Sequence, residues 1–286
     1  MSTLKDFDVK ERPDWCPGCG LFGIQMALKQ ALAELNLEPY KVFIVSGIGC
    51  GSKMPHWVNT YGSHTLHGRL LPIATGAKLA NHSLTVIAIG GDGDGYGIGM
   101  GHFIHTMRRN IDILYIVNNN QIYGLTKGQA SPTSDKGMKT KSTPFGVIET
   151  PVNPIELAIA TGATFVARGF AGDVPHLKLL IAEGIKHKGF SLVDVFQPCV
   201  SFNKVNTFDY FRKRVYKLND DKNYKTSDKD AALKKAREEG DRLPIGIFYQ
   251  EARAINEELE PQLAHEPLVY QDISNISVSG LMQKFS

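Results

Sequence analysis

Short runs rich in Val, Ile and Leu alternate along the chain with stretches whose apolar residues recur at helical spacing. Residues 41–46, 84–89, 111–117 and 191–196 read as buried strands, and residues 21–35, 73–80, 98–109, 154–161 and 174–186 as helices. The stretch 21–35, for instance, brings Ile24, Leu28, Ala31, Leu32 and Leu35 onto one face. Strands that alternate with helices cannot pair as hairpins and lie parallel instead. The expected fold is an α/β three-layer sandwich with a mainly parallel sheet. Neighbouring parallel strands end at one edge of such a sheet, and ligands collect there. The residues that follow each strand are therefore the ones that bear on function.

Strand 84–89 runs into Gly90-Gly91-Asp92-Gly93, and strand 111–117 into Asn118-Asn119-Asn120. Gly91 and Gly93 let the backbone approach an anion, and a helix opening near Gly95 offers free N–H groups. Asp92 supplies a hard oxygen ligand, Asn120 a second, and the backbone carbonyl of Ile122 a third. That donor set suits Mg²⁺ shared with a diphosphate. Taken singly, Gly-Asp-Gly is more often a turn; its place between two adjacent strands makes the case.

The chain holds four cysteines among 286 residues. Cys16 and Cys19 lie in Trp15-Cys16-Pro17-Gly18-Cys19-Gly20, ahead of any strand, which fits a thioredoxin-type redox pair poorly. Cys50 follows the first strand and Cys199 the last, so four thiolates can converge at the sheet edge. Zinc and an iron-sulfur cluster both remain open on spacing, although one Cys-x-x-Cys pair with two single cysteines is less typical of a zinc ribbon.

Charge is nearly balanced, with 32 basic and 29 acidic residues, and gives no reason to expect nucleic acid. Residues 1–15 are too charged for a signal peptide, and no apolar run is long enough to span a bilayer, so a cytoplasmic protein is expected. Residues 126–144 read as a long loop of the kind that is usually functional or mobile, and its Lys127, Lys136, Lys139 and Lys141 suit either an anionic ligand or partner or a solvated surface. Residues 1–204 read as the ligand-binding domain, and 205–286, where charge rises, as an extension packed on the core or on a partner.

Gly91-Asp92-Gly93 followed by Asn119-Asn120 resembles the thiamine diphosphate motif. With Trp15-Cys16-Pro17-Gly18-Cys19-Gly20, Gly47-Ile48-Gly49-Cys50, His67-Gly68-Arg69, Asp94 and the run from Asn118 to Gln129, the order resembles the β subunit of the 2-oxoacid:ferredoxin oxidoreductases. Within these it is most similar to the 2-oxoglutarate:ferredoxin group, over about residues 10–205. The resemblance implies the diphosphate-binding domain of the thiamine diphosphate-binding fold. It implies that Asp92, Asn120 and Ile122 ligate Mg²⁺, and that Cys16, Cys19, Cys50 and Cys199 hold one 4Fe-4S cluster. It further implies thiamine contacts from Ile48, Gly49, Cys50, Gly51, His67, Gly91, Gly93, Asp94, Gly124 and Leu125. A separate α subunit would hold the pyrimidine-binding domain, in an αβ or (αβ)₂ assembly.

The implied activity is reversible oxidative decarboxylation of a 2-oxo acid, with coenzyme A taking the acyl group and ferredoxin the electrons. Lys53, three residues after Cys50, is placed to pair the distal carboxylate of 2-oxoglutarate. His67 is the second candidate for catalysis, Leu125 can shape the pocket by bulk, and His64 and Arg69 are further anion contacts. Pyruvate or broad 2-oxo acid specificity is the nearest alternative. A non-redox thiamine decarboxylase or synthase half, with zinc or nothing on its cysteines, is another. A zinc-stabilised binding module is a third, from a different class.

Overall fold

Eight strands form one sheet: β1 (Val42–Ser46), β2 (Tyr61–His64), β3 (Thr85–Gly91), β4 (Leu114–Asn119), β5 (Phe165–Phe170), β6 (Ser191–Phe196), β7 (Val215–Lys217) and β8 (Leu243–Gln250). Their order is β2-β1-β3-β4-β6-β5-β8-β7. The structure, a computed structural model, describes every residue except 265, 275, 276 and 286. Among the described residues, six neighbouring pairs of strands are parallel and one, β5 with β8, is antiparallel.

Helices α1 (Leu21–Glu34), α2 (Met54–Trp57), α3 (Leu70–Ala80), α4 (Met100–Arg109), α5 (Pro154–Thr161), α6 (Val174–Lys186), α7 (Phe208–Arg212) and α8 (Lys229–Ala236) lie on or beside this sheet. Strand alternation divides the core in two. Ile87, Ile89, Leu114 and Ile116 pack against α1 and α6, while Val86, Ala88, Tyr115 and Val117 pack against α3, α4 and α5. Ile24, Leu28 and Leu32 of α1 are fully buried, each worth about 1.5–3 kcal/mol relative to exposure. The α/β sandwich read from the sequence is the fold of the chain.

Several elements differ from expectation. Helix α3 begins at Leu70, ahead of Pro72, because a proline in the first turn lacks only an N–H that has no helical acceptor anyway. The helix expected from residue 98 begins at Met100, preceded by a π-helical turn over Gly93–Ile98 with non-helical backbone at Gly97. β5 is not expected from the sequence: Arg168 interrupts its apolar run, and its charge is met inside the sheet by Asp194 of β6 at 3.3 Å. β8 belongs to the stretch 205–286, which thereby adds β8 and β7 to the main sheet. Among the described residues, no helix is long and apolar enough to cross a membrane.

Candidate functional site

Gly91 of β3 pairs with Asn118 of β4. This register sets the Gly-Asp-Gly turn beside the three asparagines at the carboxyl edge of the sheet. The two flanking strands, β1 and β6, deliver Cys50 and Cys199 to the same edge. Four adjacent strands, β1-β3-β4-β6, thus lead into most of the candidate residues, while His67 follows the edge strand β2 and Cys16 and Cys19 come from the segment ahead of α1.

A cavity of about 480 Å³ opens at this edge. Ile48 to Gly51, His67, Gly91 to Asp94, Asn118, Asn120 and Ile122 to Thr126 line it, so every residue read from the sequence as touching the cofactor or Mg²⁺ is brought to one place. Asp92 is buried, and burial raises its carboxyl to about 6, against hydrogen bonds from Ser131 and Thr133 that lower it. Ser131 Oγ donates to Asp92 Oδ2 at 2.5 Å and Thr133 Oγ1 to the same atom at 2.6 Å. Asn120 donates to Gln197 Oε1 at 3.0 Å and accepts the Ile122 N–H at 3.2 Å.

Asp94, on the following turn, ties three segments together through Oδ1. It accepts the N–H of Gly68 at 2.7 Å, the N–H of Ile48 at 3.1 Å and that of His67 Nδ1 at 2.8 Å. Burial raises its carboxyl above the usual range, partly offset by those bonds. Its other oxygen, Oδ2, and Asn118 Oδ1 are buried without a hydrogen-bond partner among the described residues. Both residues line the cavity, and a buried oxygen left unpaired by the protein is open to a polar partner from outside it. Gly47 has to be glycine here, since a Cβ would lie 2.0 Å from Asp94 Oδ2.

The four cysteines line a second, smaller cavity of about 70 Å³, which shares Cys50, Asn120 and Gly124 with the first. All four thiols are free. Burial pushes Cys19 up to about 11, helped by the thiols of Cys199, Cys50 and Cys16, and burial raises Cys50 as well. Thiols held neutral in this way ionise when a metal takes the proton's place. Among the described residues, no three His, Cys, Asp or Glu side chains form a group that would hold one metal ion.

Lys53 lines the cysteine cavity rather than the larger one and pairs with Asp14 at 2.6 Å. His64 meets His56 at 3.1 Å, at the end of the edge strand β2.

Comparison with known proteins adds the decisive observation. Residues 15–195 match the family model described as "Thiamine pyrophosphate enzyme, C-terminal TPP binding domain", and residues 199–265 match the model for the C-terminal part of the pyruvate ferredoxin oxidoreductase beta subunit. The chain is 56% identical over 248 residues to the 2-oxoacid:ferredoxin oxidoreductase subunit beta of Saccharolobus solfataricus, covering 83% of this chain and 81% of that one. The chain belongs to the β subunits of the 2-oxoacid:ferredoxin oxidoreductases. It is 45% identical over 209 residues to the 2-oxoglutarate oxidoreductase subunit KorB of Mycobacterium tuberculosis, covering 73% of this chain and 56% of that one. The 2-oxoglutarate:ferredoxin oxidoreductase from Magnetococcus marinus, solved with 2-oxoglutarate, coenzyme A and succinyl-CoA bound, superposes with a TM-score of 0.91 at 38% identity. That match covers 100% of this chain and 96% of that one.

As a member of that family the chain carries a thiamine diphosphate-binding domain, and as a β subunit it works with an α subunit. The structure also places residues at the site that sequence reasoning did not single out. Tyr123 closes over the Gly-Asp-Gly turn, its hydroxyl donating to the Gly93 carbonyl at 3.2 Å. Ser131 and Thr133 sit in the loop 126–144, where the lysines stand out in the sequence and these hydroxyls do not. Their signal is faint: a Ser-Pro-Thr-Ser run amid Lys and Gly looks like any turn.

Proposed function

We propose that this β subunit serves a 2-oxoglutarate:ferredoxin oxidoreductase, which converts 2-oxoglutarate and coenzyme A reversibly to succinyl-CoA and CO₂ and passes electrons to ferredoxin. The observation that carries the reading is the shared wall of the two cavities: Cys50, Asn120 and Gly124 border both the thiamine diphosphate cavity and the four cysteines. Electrons released in the first have the second as their nearest exit.

In this reading Asp92, Asn120 and the Ile122 carbonyl hold Mg²⁺, while Gly91 and Gly93 admit the diphosphate. Cys16, Cys19, Cys50 and Cys199 hold the 4Fe-4S cluster. Thiamine diphosphate supplies, when bound, an electron sink for a 2-oxo acid that loses CO₂. The cluster supplies, when bound, a one-electron acceptor beside that sink. His67 is turned by Asp94: Nδ1 donates its N–H to the carboxylate, which leaves Nε2 to hold or accept a proton. Ile48 and Leu125 present apolar surface at the cavity, 37% and 44% exposed, for the partner α chain to bury and so exclude water.

Lys53 is assigned to the distal carboxylate of the substrate, a role for which its side chain has to leave Asp14 and the cysteine cavity and turn to the larger one. It lies within electrostatic reach of Cys50 on one side and of His64 on the other. Exchanging Asp14 for a substrate carboxylate replaces one exposed ion pair by a similar one. Residues 1–204 form the cofactor domain in this reading, and 205–286 pack on it. A cytoplasmic setting suits four free thiols.

The test is anaerobic copurification with the α subunit, followed by iron analysis and assays on several 2-oxo acids with ferredoxin and coenzyme A. Four irons per β chain and a preference for 2-oxoglutarate are expected. A colourless protein without iron would favour the non-redox alternative, and a preference for pyruvate would reassign the substrate.

A further inference from the structure

Asp92 is held from one side by two hydroxyls of a single loop. Ser131 Oγ and Thr133 Oγ1 both bond Oδ2, which leaves Oδ1 outside this pair of bonds. All three residues are buried, at 2%, 7% and 3% exposure, so the bonds are shielded from water. Thr133 Oγ1 also lies 2.9 Å from Asn119 Oδ1. A hydroxyl has one proton, and between a carboxylate and an amide oxygen it goes to the carboxylate, the stronger acceptor. Asn119 in turn donates to Asp194 at 3.1 Å, which anchors the assembly in the sheet.

The hydroxyls are themselves fixed. The Ser131 N–H donates to Ser134 Oγ at 2.8 Å, and Ser134 Oγ donates to the Gln121 carbonyl at 2.6 Å. Gln121 reaches back to the Thr133 carbonyl at 3.1 Å and to Asp135 at 3.0 Å. The loop is therefore bonded to itself at its base and to Asp92 at its tip. A carboxylate with one oxygen fixed by two donors cannot rotate, and its second oxygen points one way only.

We propose that Ser131 and Thr133 are positioning residues for the divalent cation: their hydroxyls hold Oδ2 of Asp92, which would leave Oδ1 to the metal. The proposal rests on the reading of Asp92 as a Mg²⁺ ligand. Carboxylate ligands held by outer donors lose about 10- to 100-fold in metal affinity when those donors are removed. Metal binding and the order of the loop around residues 131–134 are then linked, each favouring the other.

The test uses the chain assembled with its α subunit and stripped of metal, titrated with Mn²⁺ in the presence of thiamine diphosphate. Free Mn²⁺ is read by its electron paramagnetic resonance signal. Thr133→Val is expected to weaken Mn²⁺ binding about 10- to 100-fold, and Thr133→Ser, which keeps the hydroxyl, to recover most of it. Ser131→Ala, the milder change, is expected to act in the same direction and decides the matter should Thr133→Val fail to assemble. Equal Mn²⁺ affinity in the wild type and the assembled variants overturns the inference while leaving Asp92 as a ligand. Absence of Mn²⁺ uptake by the wild type overturns the metal reading, and the inference with it.

Discussion

Trp15 donates its indole N–H to the backbone carbonyl of Cys50 at 2.8 Å, and its ring meets Phe22 edge to face. One side chain thereby joins the loop that carries Cys16 and Cys19 to the turn that carries Cys50. Trp15→Phe keeps the ring contact and leaves the carbonyl without its donor, a loss of about 1 kcal/mol. The chain should fold, hold less iron after anaerobic purification and lose its visible absorbance faster in air. Iron-to-protein ratios and bleaching rates check this; if both match wild type, Trp15 only fills the core.

Gly93, which lines the cavity, and Gly101, exposed on α4, should respond in opposite ways to alanine. A Cβ on Gly93 would stand 2.1 Å from the Tyr123 ring, so Gly93→Ala must push that ring away and lose its bond to the Gly93 carbonyl. Destabilisation of about 1–3 kcal/mol is expected, with weaker thiamine diphosphate binding. Gly101, in the first turn of α4, has nothing within 4 Å of such a Cβ. Gly101→Ala should leave binding intact and stabilise by about 0.5 kcal/mol through helix propensity. Urea unfolding and titration with the cofactor separate the two.

These contrasts mark what the sequence makes legible. Strands β1, β3 and β4 announce themselves because each holds a short apolar run followed closely by Gly or Asn, and β6 is read despite Asp194 in its middle; the edge rule then sets Asp92 beside Asn120. β5 stays hidden because Arg168 breaks its pattern, and only the fold brings Asp194 opposite. β8 escapes notice because its apolar run lies in a charged stretch, and its antiparallel pairing with β5 spans a long sequence separation. Tyr123, Ser131 and Thr133 act through positions in a loop, where no periodicity reports which way a side chain points. Lys53 follows Cys50 closely in sequence, and the structure turns it to the cysteine side of the wall.

His187 gives a pH dependence with a definite sign. Thr164 Oγ1 donates to Asn110 at 2.8 Å and so accepts from His187 Nε2, also at 2.8 Å. Burial lowers the His187 pKa below its ordinary 6.5. The unfolded chain therefore takes up a proton before the folded one does, and stability falls as pH drops. The contribution of His187 is fully present above 6.5 and is lost as pH falls through the folded value. His187→Gln keeps a donor for Thr164 without a titrating group. The difference in unfolding midpoint between wild type and variant should be flat above 6.5 and shift against the wild type in acid. A difference that stays constant throughout would show that His187 does not titrate differently on folding.

Lys53 separates two roles for one cation. If it serves the substrate, Lys53→Met removes a charge-assisted bond of about 1.5–3 kcal/mol to the distal carboxylate. The KM for 2-oxoglutarate should then rise about tenfold or more, while that for pyruvate, which has no distal carboxylate, hardly moves. Asp14→Asn provides the converse, because it frees Lys53 from its partner at 2.6 Å and should lower the KM for 2-oxoglutarate alone. If Lys53 serves the cysteine loop, both variants affect both acids equally and change the iron content instead. Steady-state kinetics on the two acids, with iron measured on the same preparations, tells these outcomes apart. An equal rise in both KM values would leave substrate choice to the α subunit.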